Sequence, residues 1–347
     1  MNTVLESLNR ALLNALKTDE RVLLMGEDIL DPYGGSFKVS KGLSTKFPKR
    51  VLTTPISEAG FTGLAAGMAM RGLLPVVEIM FGDFVTLIAD QLINHIVKFP
   101  WMYNQKVTVP IVIRAPMGGR RGYGPTHSQT LEKLYLGVPG LVVLAPTALG
   151  NPGRLLEVAI FQEKRPVLFV ENKLLYLSKL FDINSSPDYS LEQIVLKRDH
   201  LEKTENYYPY PIYVLKIADA PKCDLTLVTY GYMAEVARNA MLRLAYESEI
   251  FVEMIVPTIL APYQCAPVIR SLDKSKRLLV VEEGTLTLGW GAEVITRVVE
   301  QLPNRLRAIH RLASKDFPIP ASGYLEREFL PNEEDIVAKV RKIMKES

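Results

Sequence analysis

Glu58 is the side chain whose type and position most directly suggest proton chemistry. Pro55 and Ser57 mark the start of a predicted helix, which places Glu58 in the first turn. An acid at such a position often does no more than complement the helix dipole. Glu58, however, is flanked by Ile56 and Phe61 and is followed by a helix that is nearly uncharged. These apolar neighbours predict a desolvated carboxyl group. Desolvation favours the neutral form of a carboxyl group and so suits it to proton transfer.

His127 is the second candidate. It belongs to residues 118–129, GGRRGYGPTHSQ, a loop with four glycines between a predicted strand and a predicted helix. Histidine gains and loses a proton near neutral pH more readily than other side chains, and functional residues are often carried by loops. The alternative is an imidazole that only tethers the loop. The residues by themselves leave both interpretations open.

The helix that begins near Glu58 keeps three glycines at spacings of three and four: Gly60, Gly63 and Gly67. Each glycine inside a helix costs about 1 kcal/mol relative to alanine. A helix that retains three of them needs a close approach to another helix. Because nothing within the chain demands that approach, we predict that this face packs against another subunit.

The elements that must position these residues follow an alternating pattern. Apolar strands are predicted at 22–25, 75–79, 109–115, 141–145, 167–171, 225–230, 251–256 and 278–282. Thr3 and Glu6 fit a capping box at the start of a first helix, and further helices are predicted over 84–98, 150–163, 233–248, 266–272, 291–301 and 332–345. This alternation is typical of parallel sheets covered by helices. We expect an α/β protein with two three-layer α/β domains, residues 1–176 and 222–347. The polar segment 177–221 is predicted to be a linker with one helix around 191–201.

Composition excludes several classes of protein. Hydrophobic residues make up 48% and charged residues 23%, as in ordinary globular proteins, and the net charge of +3 argues against a nucleic-acid or anionic-membrane partner. No apolar run approaches the length of about 18 residues that a membrane span needs. The first residues lack the pattern of a signal peptide. Two distant cysteines, Cys223 and Cys265, favour a reducing cytoplasmic location over a disulfide framework.

Motifs for nucleotide hydrolysis, zinc proteolysis and serine hydrolysis (GxxxxGK[ST], HExxH and GxSxG) are absent. The chain instead contains an ordered series of other motifs: GED at 26–28, TPISE at 54–58, EIMFGDF at 78–84, THSQ at 126–129, VEEG at 281–284 and FPIPA at 317–321. Together they resemble the β subunits of 2-oxo-acid dehydrogenase E1 components, most closely the pyruvate dehydrogenase type. The resemblance implies a transketolase pyrimidine-binding domain followed by a transketolase C-terminal domain.

The resemblance also implies thiamine diphosphate as the cofactor. Glu58 would hydrogen-bond N1′ of the aminopyrimidine and share a proton there. Phe84 would stack on the pyrimidine, with Ile56 and Met80 nearby as apolar walls that keep Glu58 desolvated. His127 matches the family's active-site histidine, which handles the intermediate and its transfer to a lipoyl group.

Enzymes of this cofactor class bind the diphosphate and Mg²⁺ through a GDG…N motif, which this chain lacks. The resemblance therefore implies half of a site, with no metal ligands here and Mg²⁺ on an α subunit of an α₂β₂ heterotetramer. The other implied partners are a 2-oxo acid and a lipoyl-bearing E2 acyltransferase. Two alternatives remain: half of a split transketolase that moves a two-carbon ketol unit, and a non-catalytic scaffold. Retention of both Glu58 and His127 argues against the scaffold.

Overall fold

The computed structural model of the chain describes residues 3–196 and 210–346. The chain divides into two compact units, with the boundary between Leu180 and Phe181. Each unit has its own sheet with helices packed against it, which confirms the α/β class. Within the described ranges, no helix has both the length and the apolar character required to cross a membrane.

The first unit contains a parallel sheet. Its strands are β1 Val22–Gly26, β2 Val51–Thr53, β3 Leu74–Glu78, β4 Val112–Met117, β5 Val142–Leu144 and β6 Val167–Asn172. They lie side by side in the order β5-β6-β4-β3-β1-β2, and every neighbouring pair is parallel. The helices of this unit are α1 Val4–Thr18, α2 Leu43–Lys46, α3 Glu58–Met70, α4 Phe99–Met102 and α5 Pro152–Phe161.

The first helix begins where its capping residues predict. The Oγ1 atom of Thr3 accepts a hydrogen bond from the Glu6 amide at 3.2 Å, and the Glu6 carboxylate accepts one from the Thr3 amide at 2.9 Å. These bonds satisfy two amides that have no partner inside the helix. Leu8, Leu12 and Leu16 are fully buried on the face that packs against the rest of the unit.

The predicted helix over 84–98 takes a different form. The structure has a 3₁₀ helix at Gly82–Ile88 followed by a π-helical segment at Gln91–Ile96. Val85 and Ile88, three residues apart, are both fully buried, and the 3₁₀ period of three residues places them on one side. Gly82 has no room for a side chain because Met117 at the end of β4 occupies that space. This close contact between Gly82 and Met117 holds the 3₁₀ helix against the carboxyl end of β4.

The second unit contains a mixed sheet. The strands of this sheet are β7 Tyr189–Ile194, β8 Ile212–Ile217, β9 Leu225–Val228, β10 Val252–Pro257, β12 Arg277–Thr285 and β13 Ala308–Ser314, whereas the short strand β11 Ile259–Ala261 is not part of it. The helices of the unit are α6 Met233–Ser248, α7 Ala266–Ser275, α8 Trp290–Gln301, α9 Gly323–Phe329 and α10 Glu333–Lys345. Strands β13, β12, β9 and β10 are parallel neighbours in that order. β8 and then β7 continue the sheet in antiparallel pairing.

The segment 177–221 corrects one expectation. Instead of a linker with a helix around 191–201, it contributes the two antiparallel strands β7 and β8 to the second sheet. The part of the expected helix beyond residue 196 lies outside the described residues. An outer strand with one open face carries polar side chains, here Glu192 and Gln193, so its composition resembles that of a connection.

Candidate active site

The candidate residues gather at one edge of the first sheet. In a parallel sheet the carboxyl ends of all strands point the same way, and the connections that follow them form the ligand crevice of such folds. The residues that follow the strands at this edge are Glu27 after β1, Glu58 after β2, Met80 and Phe84 after β3, His127 after β4 and Lys173 after β6.

Glu58 is the first residue of α3 and is only 5% exposed. The expected desolvation of this carboxyl group is therefore present in the chain itself. Helix α3 packs against the 3₁₀ helix Gly82–Ile88, which carries Phe84. The acid and the aromatic residue singled out from the sequence thus lie on two neighbouring elements.

Glu27 is a second buried acid that the sequence analysis noted only as part of a motif. Burial and, to a smaller extent, the negative charges of Glu58 and Asp28 raise its pKa from 4.5 to about 6, against the opposing effect of a hydrogen bond from the Ser57 amide. Its Oε1 atom is buried and has no hydrogen-bond partner among the described residues. The signal that could have revealed it is an acid directly after a buried parallel strand, at the sheet edge where ligands bind.

The His127 ring contacts the rings of both Phe81 and Phe84. The imidazole centroid lies 4.9 Å from the Phe81 ring and 5.4 Å from the Phe84 ring, both in edge-to-face orientation. Such geometry suits aromatic pairs because the positive ring edge meets the negative ring face. Nδ1 of His127 lies 3.0 Å from Oγ1 of Thr126. Phe81 is thus a third aromatic member of the site that sequence reasoning did not identify.

The remaining predicted cofactor residues are less enclosed. Ile56 projects from the connection before α3 and is 85% exposed, whereas Met80 is half-buried after β3.

Asp83 links the Phe84 segment to the His127 loop, because its Oδ1 atom accepts hydrogen bonds from the main-chain amide and the side-chain amide of Gln129 at 3.1 and 3.0 Å.

A buried ionic cluster lies within the strands that end at this edge. Arg114 on β4 donates two hydrogen bonds to Glu171 at 2.9 and 2.8 Å and one to Glu78 at 2.6 Å. Tyr176 donates to Glu171, and Ser40 donates to Glu78 at 2.7 Å. The paired carboxylates hold the pKa of the Arg114 guanidinium above its usual range despite burial. The cluster joins the ends of β3, β4 and β6 by charge-assisted bonds, which are about twice as strong as neutral ones.

This arrangement fits the pyrimidine end of thiamine diphosphate. A flat, apolar ring with hydrogen-bonding nitrogens requires an aromatic wall and an acid, and the half-buried Phe84 and the buried Glu58 supply both. Among residues 3–196 and 210–346, no group of three or more His, Cys, Asp and Glu side chains is placed to hold a metal ion. The fit concerns the aminopyrimidine alone.

Comparison with known proteins first defines the class. Residues 2–178 match the family model of the transketolase pyrimidine-binding domain, and residues 216–336 match that of the transketolase C-terminal domain. The solved structure of a split-gene transketolase, an inactive β4 tetramer, superposes with a TM-score of 0.73 at 18% identity, covering 100% of this chain and 99% of that one. The chain is of transketolase type in fold, which confirms the expected architecture.

Sequence relatives narrow the family. The mitochondrial pyruvate dehydrogenase E1 component subunit beta-1 of Arabidopsis thaliana is 39% identical over 96% of this chain and 87% of its own length. The pyruvate dehydrogenase E1 component subunit beta of Rickettsia bellii is 34% identical over 98% of both chains. The chain therefore belongs to the family of E1 β subunits of thiamine diphosphate-dependent 2-oxo-acid dehydrogenases, and the resemblance seen in its motifs is confirmed.

Proposed function

We propose that this chain is the β subunit of an E1 component that decarboxylates pyruvate or a related 2-oxo acid and passes the acyl group to lipoyl-lysine. The observation that carries the proposal is the buried carboxyl group of Glu58 at the start of α3, on the same sheet edge as the paired rings of Phe84 and His127. The nearly full-length similarity to pyruvate dehydrogenase E1 β subunits supports it.

Each residue has a distinct task in this proposal. Glu58 holds a proton at N1′ of the aminopyrimidine, and its low exposure prevents water from competing for that bond. Phe84 stacks on the pyrimidine, and Ile56 and Met80 complete its apolar surroundings. His127, between Phe81 and Phe84, holds or transfers a proton where the acyl group is formed and handed on. The bound thiamine diphosphate supplies the nucleophilic carbon and the electron sink for decarboxylation.

The proposal includes an α subunit in an α₂β₂ heterotetramer, with Mg²⁺ and the diphosphate bound on the α chain. Ile56, a proposed cofactor neighbour, is almost fully exposed in this chain, as expected for a site completed by a second chain. A lipoyl-bearing E2 acyltransferase is the proposed acceptor. A cytoplasmic location is also proposed, since both cysteines are free thiols, as a reducing compartment maintains.

The test is a Glu58→Gln variant assembled with an E1 α subunit. The variant keeps the size and much of the hydrogen bonding of glutamate but cannot transfer the proton. We expect assembly and cofactor binding to persist, while reduction of an artificial electron acceptor by pyruvate or branched 2-oxo acids falls roughly 10²–10⁴-fold. Deuterium exchange at C2 of the cofactor, followed by NMR, should fall in parallel.

Glu20→Gln, at an exposed acid of the same unit, is the matched control and should retain the parent rate. A Glu58→Gln complex that exchanges and decarboxylates within a few-fold of the parent would remove Glu58 from the site. A parent complex that transfers two-carbon ketol units between sugars but oxidises no 2-oxo acid would favour the split transketolase instead.

A further inference from the structure

The loop that carries His127 has little regular structure to hold it. Its residues Gly118, Gly122 and Gly124 have positive φ angles, which only glycine adopts without strain. A loop so rich in glycine loses much conformational entropy when it is ordered. The position of the His127 ring therefore depends on contacts made from outside the loop.

Lys173 supplies such contacts at both ends of the loop. It follows β6 directly, and its main-chain amide donates to the carbonyl oxygen of Met117, the last residue before the loop, at 3.0 Å. Its side chain is fully buried, and the Nζ atom donates a hydrogen bond to the carbonyl oxygen of His127. One residue thus connects the origin of the loop to the residue whose imidazole faces the site.

The groups around Nζ of Lys173 explain how this side chain holds the loop in one position. Nζ lies 5.3 Å from the ring centroid of Phe81 and 5.9 Å from that of Tyr123, both within the range of a cation–π contact. Phe81 in turn contacts the His127 ring. A hydrogen bond from a charged donor is stronger than one from a neutral donor. The same ammonium therefore fixes the main chain at His127 and the ring against which the imidazole packs.

We propose that Lys173 is a positioning residue that holds the His127 imidazole between Phe81 and Phe84, where the proposed reaction needs it. This inference rests on the proposed function of the site for its catalytic meaning, but its structural part concerns the chain alone. Lys173 touches no reacting atom in this proposal and acts through the main chain of His127.

The first experiment uses NMR on the full chain labelled in histidine. The sequence has four histidines, so the ring signals are few, and His127→Asn identifies the one of interest. In the parent, ring currents of Phe81 and Phe84 shift the His127 ring protons away from the values of an exposed histidine. In Lys173→Met we expect these signals to move toward the exposed values, while those of His310, which lies in the second unit and bonds to Glu346, stay in place.

Lys106→Met, at an exposed lysine of the same unit, is the control and should leave the His127 signals unchanged. Lys173→Gln keeps a donor without the charge, and it serves as the test variant if Lys173→Met does not fold. His127 signals that stay at their parent positions in a folded Lys173 variant would overturn the proposal. A chain in which the His310 signals move equally would also overturn it, because Lys173 would then hold the fold in general.

The second experiment measures steady-state kinetics of the complex with an α subunit. A misplaced imidazole should lower kcat about 10- to 100-fold with little change in the KM for the 2-oxo acid. An increase in KM at constant kcat would contradict a positioning role. If the parent complex itself oxidises no 2-oxo acid, the proposed function fails, while the NMR result still decides whether Lys173 positions His127.

Discussion

Glu27 and Glu58 are two buried carboxyl groups at adjacent strand ends, and the charge of one raises the pKa of the other. Two such groups cannot both carry a charge there without cost, since desolvation and like charge act in the same direction. Glu27 therefore retains its proton at a pH where exposed glutamates have lost theirs. This places a proton reservoir beside the acid that we propose acts at N1′.

The Glu27 carboxyl makes a specific contribution to the pH dependence of stability. Its pKa of about 6 in the folded chain exceeds its ordinary value of 4.5, so the folded state binds more proton between these values. The free energy of unfolding must then fall as pH rises through this window. Glu27→Gln should remove that loss and stabilise the chain by up to about 2 kcal/mol at pH 7.5, with little effect at pH 4.5.

Urea unfolding of the full chain at both pH values, followed by circular dichroism, measures this difference. Glu20→Gln, at an exposed acid of the same unit, should leave the pH dependence of the parent unchanged. Parallel pH profiles for Glu27→Gln and the parent would show that Glu27 titrates as an ordinary exposed acid.

At the scale of elements, helix α3 presents an unusual outer surface. Gly60, Gly63 and Gly67 lie on its exposed side together with Leu64. A Cβ atom at Gly67 would meet nothing within 4 Å, and one at Gly63 would meet only Cγ of Gln91 at 4.0 Å. The fold of this chain therefore does not require Gly63 or Gly67, whereas a Cβ atom at Gly60 would lie 2.8 Å from Oγ of Ser57. The presence of Gly63 and Gly67 fits the predicted close approach of a helix from another subunit, which remains a prediction.

Gly63→Leu tests separately whether the fold of the chain and the contact with another subunit require a glycine at this position. In the isolated chain we expect unchanged or slightly higher stability, by up to about 1 kcal/mol, since leucine favours a helix more than glycine does. In the complex with an α subunit, the added side chain should overpack the contact and weaken assembly by about 1–3 kcal/mol. Analytical ultracentrifugation of the complex measures the loss, and thermal unfolding of the chain checks the fold.

Gly137→Leu is the matched control, because a Cβ atom there meets nothing within 4 Å and Gly137 lies outside α3. Assembly of Gly63→Leu with parent affinity would mean that the α3 face stays open to solvent in the complex.

At the scale of the whole molecule, the described residues provide an acid, aromatic walls and a histidine but no cluster of metal ligands. The first unit exposes large apolar side chains, among them Ile56, Leu64 and Leu87. Exposed apolar surface of this kind commonly marks a site of protein association. The exposed apolar side chains fit the association with an α subunit that we propose.

The full chain alone should therefore bind thiamine diphosphate weakly. We expect isothermal titration calorimetry with Mg²⁺ to detect no micromolar binding to the isolated chain, because diphosphate and cation need oxygen ligands that we place on the α subunit. The α complex, titrated identically, should bind tightly and is the positive control. Micromolar binding to this chain by itself would disprove the shared site.

Several features could be predicted from the sequence because their causes are local. The capping box at Thr3 and Glu6 and the alternation of apolar strands with helices depend on residues within one or two turns of each other. The burial of Glu58 also followed from its neighbours along the chain. The roles of Glu58, His127, Phe84, Ile56 and Met80 in cofactor chemistry came from the family resemblance and await the experiments above.

Other features were decided only by the tertiary structure. The polar strand β7 owes its conformation to pairing with β8, and the apolar strand β8 in turn pairs with β10, although both lie in the segment predicted to be a linker. The Arg114 cluster and the contact of Lys173 with His127 join residues far apart in the chain, brought together by the order of strands in a parallel sheet. That order is set by long-range packing. Local patterns therefore indicate which residues can do chemistry, and only the assembled sheet edge determines which of them meet.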